Sequence, residues 1–171
     1  MRKLVIATAL CALTAVCTWG EWVYEGEWGR LGSGNGEFDF PTDVGVAPNG
    51  NVYVCDNGNF RIQYFNADGS FVGKRGSCGT GNGQFGRPWG LTFTPNGNVY
   101  VVDDLNHRLQ YFAAAGSFAG LVGLYGSGEG EFINPLDLGF SGDGNRLYVA
   151  DTDNNRVQYF RWSTPQWRPR R

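Results

Sequence analysis

A 47-residue period runs through this chain, and it limits the fold more than any other feature. Gly36-Glu37-Phe38 recurs as Gly83-Gln84-Phe85 and Gly130-Glu131-Phe132, and Pro41 recurs as Pro88 and Pro135. Asn51-Val52-Tyr53-Val54 matches Asn98-Val99-Tyr100-Val101; the third copy, Arg146-Leu147-Tyr148-Val149, falls one residue later after a longer turn. Asp56, Asn59 and Arg61 return as Asp103, Asn106 and Arg108, then as Asp151, Asn154 and Arg156. Repeats of this length are supersecondary units that bury their apolar faces against one another.

Each copy reads as four short strands. Strand a follows the proline (42–47, 89–94, 136–141) and strand b follows a Gly/Asn turn (51–56, 98–103, 146–151). Strand c comes after a tight corner (60–65, 107–112, 155–160), and strand d closes the copy (70–75, 117–122). With 27 glycines, 15% aromatic and only 18% charged residues, the composition suits short strands and turns better than helices. Apolar residues alternate imperfectly, as in a sheet covered on both faces. The class is all-β, in four-stranded antiparallel blades.

The G-x-G-x-F-x-x-P start, then N-V-Y-V-x-D, D-x-x-N-x-R and Q-Y-F, resemble the NHL-repeat family over residues 21–160. The resemblance implies a β-propeller, usually of six blades, so three copies amount to half a ring. Family members include binding scaffolds, lyases and RNA-binding modules. Tyr24-Glu25-Gly26-Glu27-Trp28-Gly29 aligns with Phe71–Gly76 and Phe118–Gly123, a strand d with no a, b or c before it. It is expected to be the outer strand of a third blade that otherwise has three. Three blades should not close alone, so self-association into a closed ring is expected, with the segment reciprocally exchanged in a homodimer.

The domain is expected to span residues 18–162, with repeats at about 30–76, 77–123 and 124–162 and 21–29 as closing strand. Ahead of it, Arg2 and Lys3 precede the uncharged Leu4–Val16 stretch, which is shorter than the roughly 20 residues of a membrane span. This reads as a signal peptide over residues 1–17, with Ala15 and Cys17 before the cut, and implies a secreted or periplasmic protein. A lipid anchor on Cys17 is the sharper alternative; Val16 stands where a small residue is wanted. Loss of the leader takes the net charge from −2 to −4. With a pI near 5.3, that excludes a basic nucleic-acid surface. Residues 163–171 form a tail that is basic through Arg168, Arg170 and Arg171, and Pro165 and Pro169 argue against a regular strand there. Cys55 and Cys78 remain after cleavage and leave one disulfide open; against it, Cys55 aligns with the small apolar Val102 and Ala150.

Three Asp/Arg pairs, Asp56/Arg61, Asp103/Arg108 and Asp151/Arg156, face across the b–c corner. Recurrence in every copy argues for a structural clamp, with a bidentate guanidinium expected. Gly32-Ser33-Gly34-Asn35-Gly36 resembles a phosphate loop but leads to a strand, so it reads as a blade-to-blade crossover. His107 is the one histidine, too few for a zinc site or a zinc lyase, and no nucleophile elbow surrounds any serine. Calcium would be held by Asp43, Asp137 and carbonyls near the axis; no other cofactor is implied. The positions that differ between copies are the candidate ligand contacts: Phe40, Arg87 and Asn134 before the proline, Asp43, Trp89 and Asp137 after it, and Phe60, His107 and Asn155 in the corner. The expected function is a non-catalytic scaffold binding a protein or small ligand on the propeller face. A lyase or hydrolase with a metal in the central channel is the alternative. N-terminal sequencing of the exported protein is expected to begin near Thr18, and a mature form retaining Met1 would refute the leader.

Overall fold

The computed structural model describes residues 22–162; the expected leader and basic tail lie outside them. Each repeat proline is the first residue of its innermost strand, where a missing backbone donor is tolerated. The strands are β1 (Pro41–Val46), β2 (Val52–Asp56), β3 (Arg61–Phe65), β4 (Phe71–Arg75), β5 (Pro88–Phe93), β6 (Val99–Asp103), β7 (Arg108–Phe112), β8 (Phe118–Val122), β9 (Pro135–Phe140), β10 (Arg146–Asp151) and β11 (Arg156–Arg161). They pair antiparallel as β1-β2-β3-β4, β5-β6-β7-β8 and β9-β10-β11. These are three blades of the expected kind, the third three-stranded among the described residues. Strand a starts one residue earlier than the sequence suggested because the proline itself enters the ladder.

The blades pack in series, β1 against β5 and β5 against β9. Between the first two, Cys55 and Ile62 meet Phe85, Leu91, Val101 and Phe112. Between the second and third, Val102 and Leu109 meet Phe132, Leu138 and Val149. Burying a leucine such as Leu91 or Leu109 stabilises by about 2 kcal/mol. Cys55 fills the small apolar slot inferred from the repeats. It and the exposed Cys78 are free, so no disulfide joins them, and burial pushes the Cys55 thiol pKa well up. Tyr53 stacks on Tyr64 and Tyr100 on Tyr111. The tyrosines of β3 and β7 lie so close over the outer strands that a Cβ on Gly73 or Gly120 would strike the hydroxyl of Tyr64 or Tyr111.

Residues 22–30 form no strand in this structure. A strand requires a partner's ladder, and among the described residues the free edge of the right kind, β11, lies at the far end of the same arc. The segment still takes the place of an outer strand preceding the first blade. Trp28 lies 6.0 Å from the Phe65 ring and against Gly69, as Arg75 lies 5.5 Å over Phe112 and against Gly116.

Both ends of the arc are bare. On the first blade Val44 is 62% exposed, whereas its equivalents Leu91 and Leu138 are 6% and 7% exposed. On the third, Val157 is 65% exposed against 2% for Ile62 and 0% for Leu109. These are the same two surfaces that cover each other at both internal junctions. Among the described residues no helix is long and apolar enough to cross a membrane.

Candidate functional site

Strand b of each blade ends on a carboxylate that is fully buried: Asp56, Asp103 and Asp151. A buried charge survives only where donors surround it. Asp56 accepts from Arg61 Nε at 2.6 Å, Asn59 Nδ2 at 2.9 Å, Gln63 Nε2 at 3.0 Å and the Asp39 backbone N–H at 2.8 Å. The pattern repeats around Asp103 and Asp151. Burial pushes the Asp151 pKa up, but the Ile133 N–H, Arg156, Asn154 and Gln158 outweigh it and the carboxyl stays below its ordinary value.

The expected bidentate pair is not what forms. Each guanidinium gives Nε to its carboxylate and turns its remaining donors to the crossover loop. Arg61 reaches the carbonyls of Ser33, Gly34 and Glu37, and Arg108 those of Gly81 and Gln84. The planar fork thus bridges the b–c corner to the incoming crossover, which a point-charge lysine would not reproduce. Sequence reasoning gave no role to the glutamines. Gln63, Gln110 and Gln158 accept from Gly36, Gly83 and Gly130 and donate to the next carbonyl. Their recurrence two residues after each Arg was the available signal.

This clamp holds crossover and corner on one face of the arc, as the bonds Gly58 N–H to Asp39 O, Asp104 N–H to Arg87 O and Asp153 N–H to Ile133 O show. Each corner is a single 3-10 turn capped by a left-handed residue: Phe60, His107 or Asn155. Phe40 and Asn134, before their prolines, are left-handed too, with φ of 50° and 46°. Asn tolerates that region; Phe does so at a cost of about 1–2 kcal/mol.

Between the first and second blades these residues line a 380 Å³ cleft walled by Phe40, Phe60 and Trp89, with Arg87 at its lip. Phe40 and Trp89 meet edge-on at 6.2 Å. Thr42 Oγ1 donates to Trp89 O at 2.7 Å and Asn57 Nδ2 to Pro88 O at 3.2 Å, which fix the floor. At the next junction the equivalent residues satisfy one another. Asn134 N–H donates to His107 Nδ1 at 3.1 Å, Asn134 Nδ2 donates to Asp153, and the His107 ring lies 4.9 Å from Tyr125. Asp104 stands there with one buried oxygen unpartnered; burial raises its pKa, against the pull of Arg87 and His107.

Other candidates fall elsewhere. Asp43 spends its oxygens on the N–H groups of Val44 and Leu91, pinning β1 to β5. Gly90 replaces it in the second blade, where a Cβ would lie 2.9 Å from Leu136 O. Asp137 is exposed and accepts from Leu138 N–H, and Asn155 is exposed on the third corner. Among the described residues no three His, Cys, Asp or Glu side chains gather as a metal site.

The family model described as "NHL repeat" matches residues 38–65, 85–112 and 132–160. No curated protein matches the chain in sequence. Among solved structures it is similar to a gluconolactonase from Xanthomonas campestris, with 19% identity, TM-score 0.50 and coverage of 66% of this chain and 35% of that one. A streptogramin B lyase gives 17% identity, TM-score 0.51 and coverage of 71% and 40%. The hydrazine synthase of Kuenenia stuttgartiensis gives 15%, 0.52, 69% and 34%. The chain therefore spans about a third to two fifths of the structures it matches, and the likeness is one of fold.

Arg108→Ala leaves a buried Asp103 without its cation and frees two crossover carbonyls. The expected loss is about 3 kcal/mol, or roughly 10 °C in melting temperature, read by thermal melts. Arg156→Ala, at a half-buried position, is expected to lose less. An unchanged melting temperature in Arg108→Ala would refute the clamp.

Proposed function

The chain belongs to the NHL-repeat family, and from that premise we propose that it is an exported, non-catalytic scaffold, two copies of which join head to tail into a six-bladed ring with a ligand-binding face. The observation that supports the ring is the match of the two bare ends. The surface around Val44 is built like those of Leu91 and Leu138, and the surface around Val157 like those of Ile62 and Leu109. Each would cover the other as its equivalents do inside the arc. Patches of this kind are seldom left bare on a soluble monomer.

The register follows from the internal pairings. Tyr64 opposes Gly73 and Tyr111 opposes Gly120. By the same alignment Tyr159 of one copy would oppose Gly26 of the other, and Val157 would oppose Trp28. Tyr159 is 66% exposed, and the space around Gly26 is empty. Export rests on Arg2, Lys3 and the Leu4–Val16 stretch. Binding of a protein or small ligand rests on the aromatic and polar corner residues gathered on one face.

An enzyme is the second reading, supported by the names of the lactonase and lyase structures. A metal found at one equivalent per ring in the purified protein, and needed for a hydrolytic or lyase reaction, would favour it.

Light scattering on the mature protein at micromolar concentration is expected to give the mass of a dimer. Gly26→Val meets nothing within its own chain but would strike Tyr159 of the second copy, so it is expected to yield monomer or aggregate. A wild-type protein that is a stable, well-folded monomer would overturn the ring.

A further inference from the structure

We infer that the cleft between the first two blades binds a small, flat, apolar ring bearing one anionic group. This rests on the reading of the corner face as a binding face and adds the chemical class of its ligand. Three observations carry it. First, the left-handed positions that the third blade gives to Asn134 and Asn155 are given in the first to Phe40 and Phe60, residues that fit that backbone poorly. Strain kept at two neighbouring positions marks what the site needs there. Phe40 is 64% exposed, so packing within the arc does not explain its ring.

Second, the cleft is open where the equivalent place at the next junction is closed by its own hydrogen bonds. Its 380 Å³ falls within the range of small-ligand pockets and suits one or two fused rings, stacked between Phe60 and the Phe40–Trp89 pair. Third, Arg87 is exposed at the lip. Among the described residues its guanidinium makes no ion pair or side-chain hydrogen bond. No carboxylate lines the cleft, although Asp39 packs on Gly58 beside it. Asp104, behind the cleft, feels the charge of Arg87 but does not bond to it, so the fork keeps its donors for a carboxylate, sulfonate or phosphate on a ring held by the aromatic walls.

The test is calorimetric titration of the full mature protein with 2-naphthoate, with 2-naphthylmethylamine as ring of opposite charge and acetate as charge without ring. Naphthoate is expected to bind at least tenfold more tightly than either. Arg87→Gln is expected to abolish the preference for naphthoate over the amine. Phe60→Asn, which installs the residue of the third blade, is expected to weaken naphthoate at least tenfold while raising the melting temperature. Equal binding of acid and amine, or naphthoate binding unchanged in Phe60→Asn, would overturn the inference. The cleft lies within one chain, so naphthoate binding is expected to persist in Gly26→Val. A monomeric wild type that binds naphthoate refutes the ring alone, and a dimer with no preference for the anionic ring refutes this inference alone.

Discussion

A charged carboxylate shut away from water, once in every blade, is the constraint from which the architecture follows. Asp56, Asp103 and Asp151 would each destabilise the fold if left to themselves. Each is answered by an asparagine, an arginine, a glutamine and a backbone N–H, so its burial brings four parts of the chain to one point. The arginine then carries its charge onward to the crossover carbonyls, which have no strand partner. A loop rich in glycine is thereby held in one shape without secondary structure. Apolar packing supplies the larger share of stability, but it is not directional. The buried charge decides which corner meets which loop.

The face that results has uneven chemistry on a regular frame. Three corners share one backbone form, yet the side chains at their left-handed tips are Phe60, His107 and Asn155. At one junction polar tips close over each other, and at the other aromatic ones stand apart. The frame repeats because every copy must solve the same burial problem. The tips vary because nothing in that problem touches them.

The sequence made the frame legible for the same reason. Any residue needed by the clamp returns every 47 positions, so the strands, the corner and the crossover could all be placed to within about a residue. The structural role of the Asp/Arg pairs was legible too, though its geometry was not. That Arg61 leans on Asp56 through Nε while its other nitrogens reach Ser33 and Gly34 depends on how the crossover folds back. Residues 24–29 carry the outer-strand pattern but form no strand, because pattern records fitness for a ladder and not the presence of a neighbour. The cleft at Phe40, Phe60 and Trp89 was visible only as a set of varying positions. Which of them meet across a junction is a question of blade spacing. The backbone duty of Asp43 toward Leu91 was likewise hidden, since its partner lies 48 residues away.

The clamp also decides where the chain is divisible. Its contacts run from the crossover at residues 32–37 through strands a and b to the start of strand c, and stop there. Strand d takes no part; it is held to strand c by the ladder and by ring packing such as Phe65 on Phe71, and its Arg75 also reaches over Phe112 of the next blade. A cut through strand d severs no buried carboxylate from its donors, whereas a cut anywhere between crossover and strand c does. The indivisible unit is therefore out of phase with the visible sheet. Chain length in this architecture changes most cheaply in whole periods joined at the outer strand, so arcs of different blade number are reachable by copying or deleting a single unit, with no new interaction required.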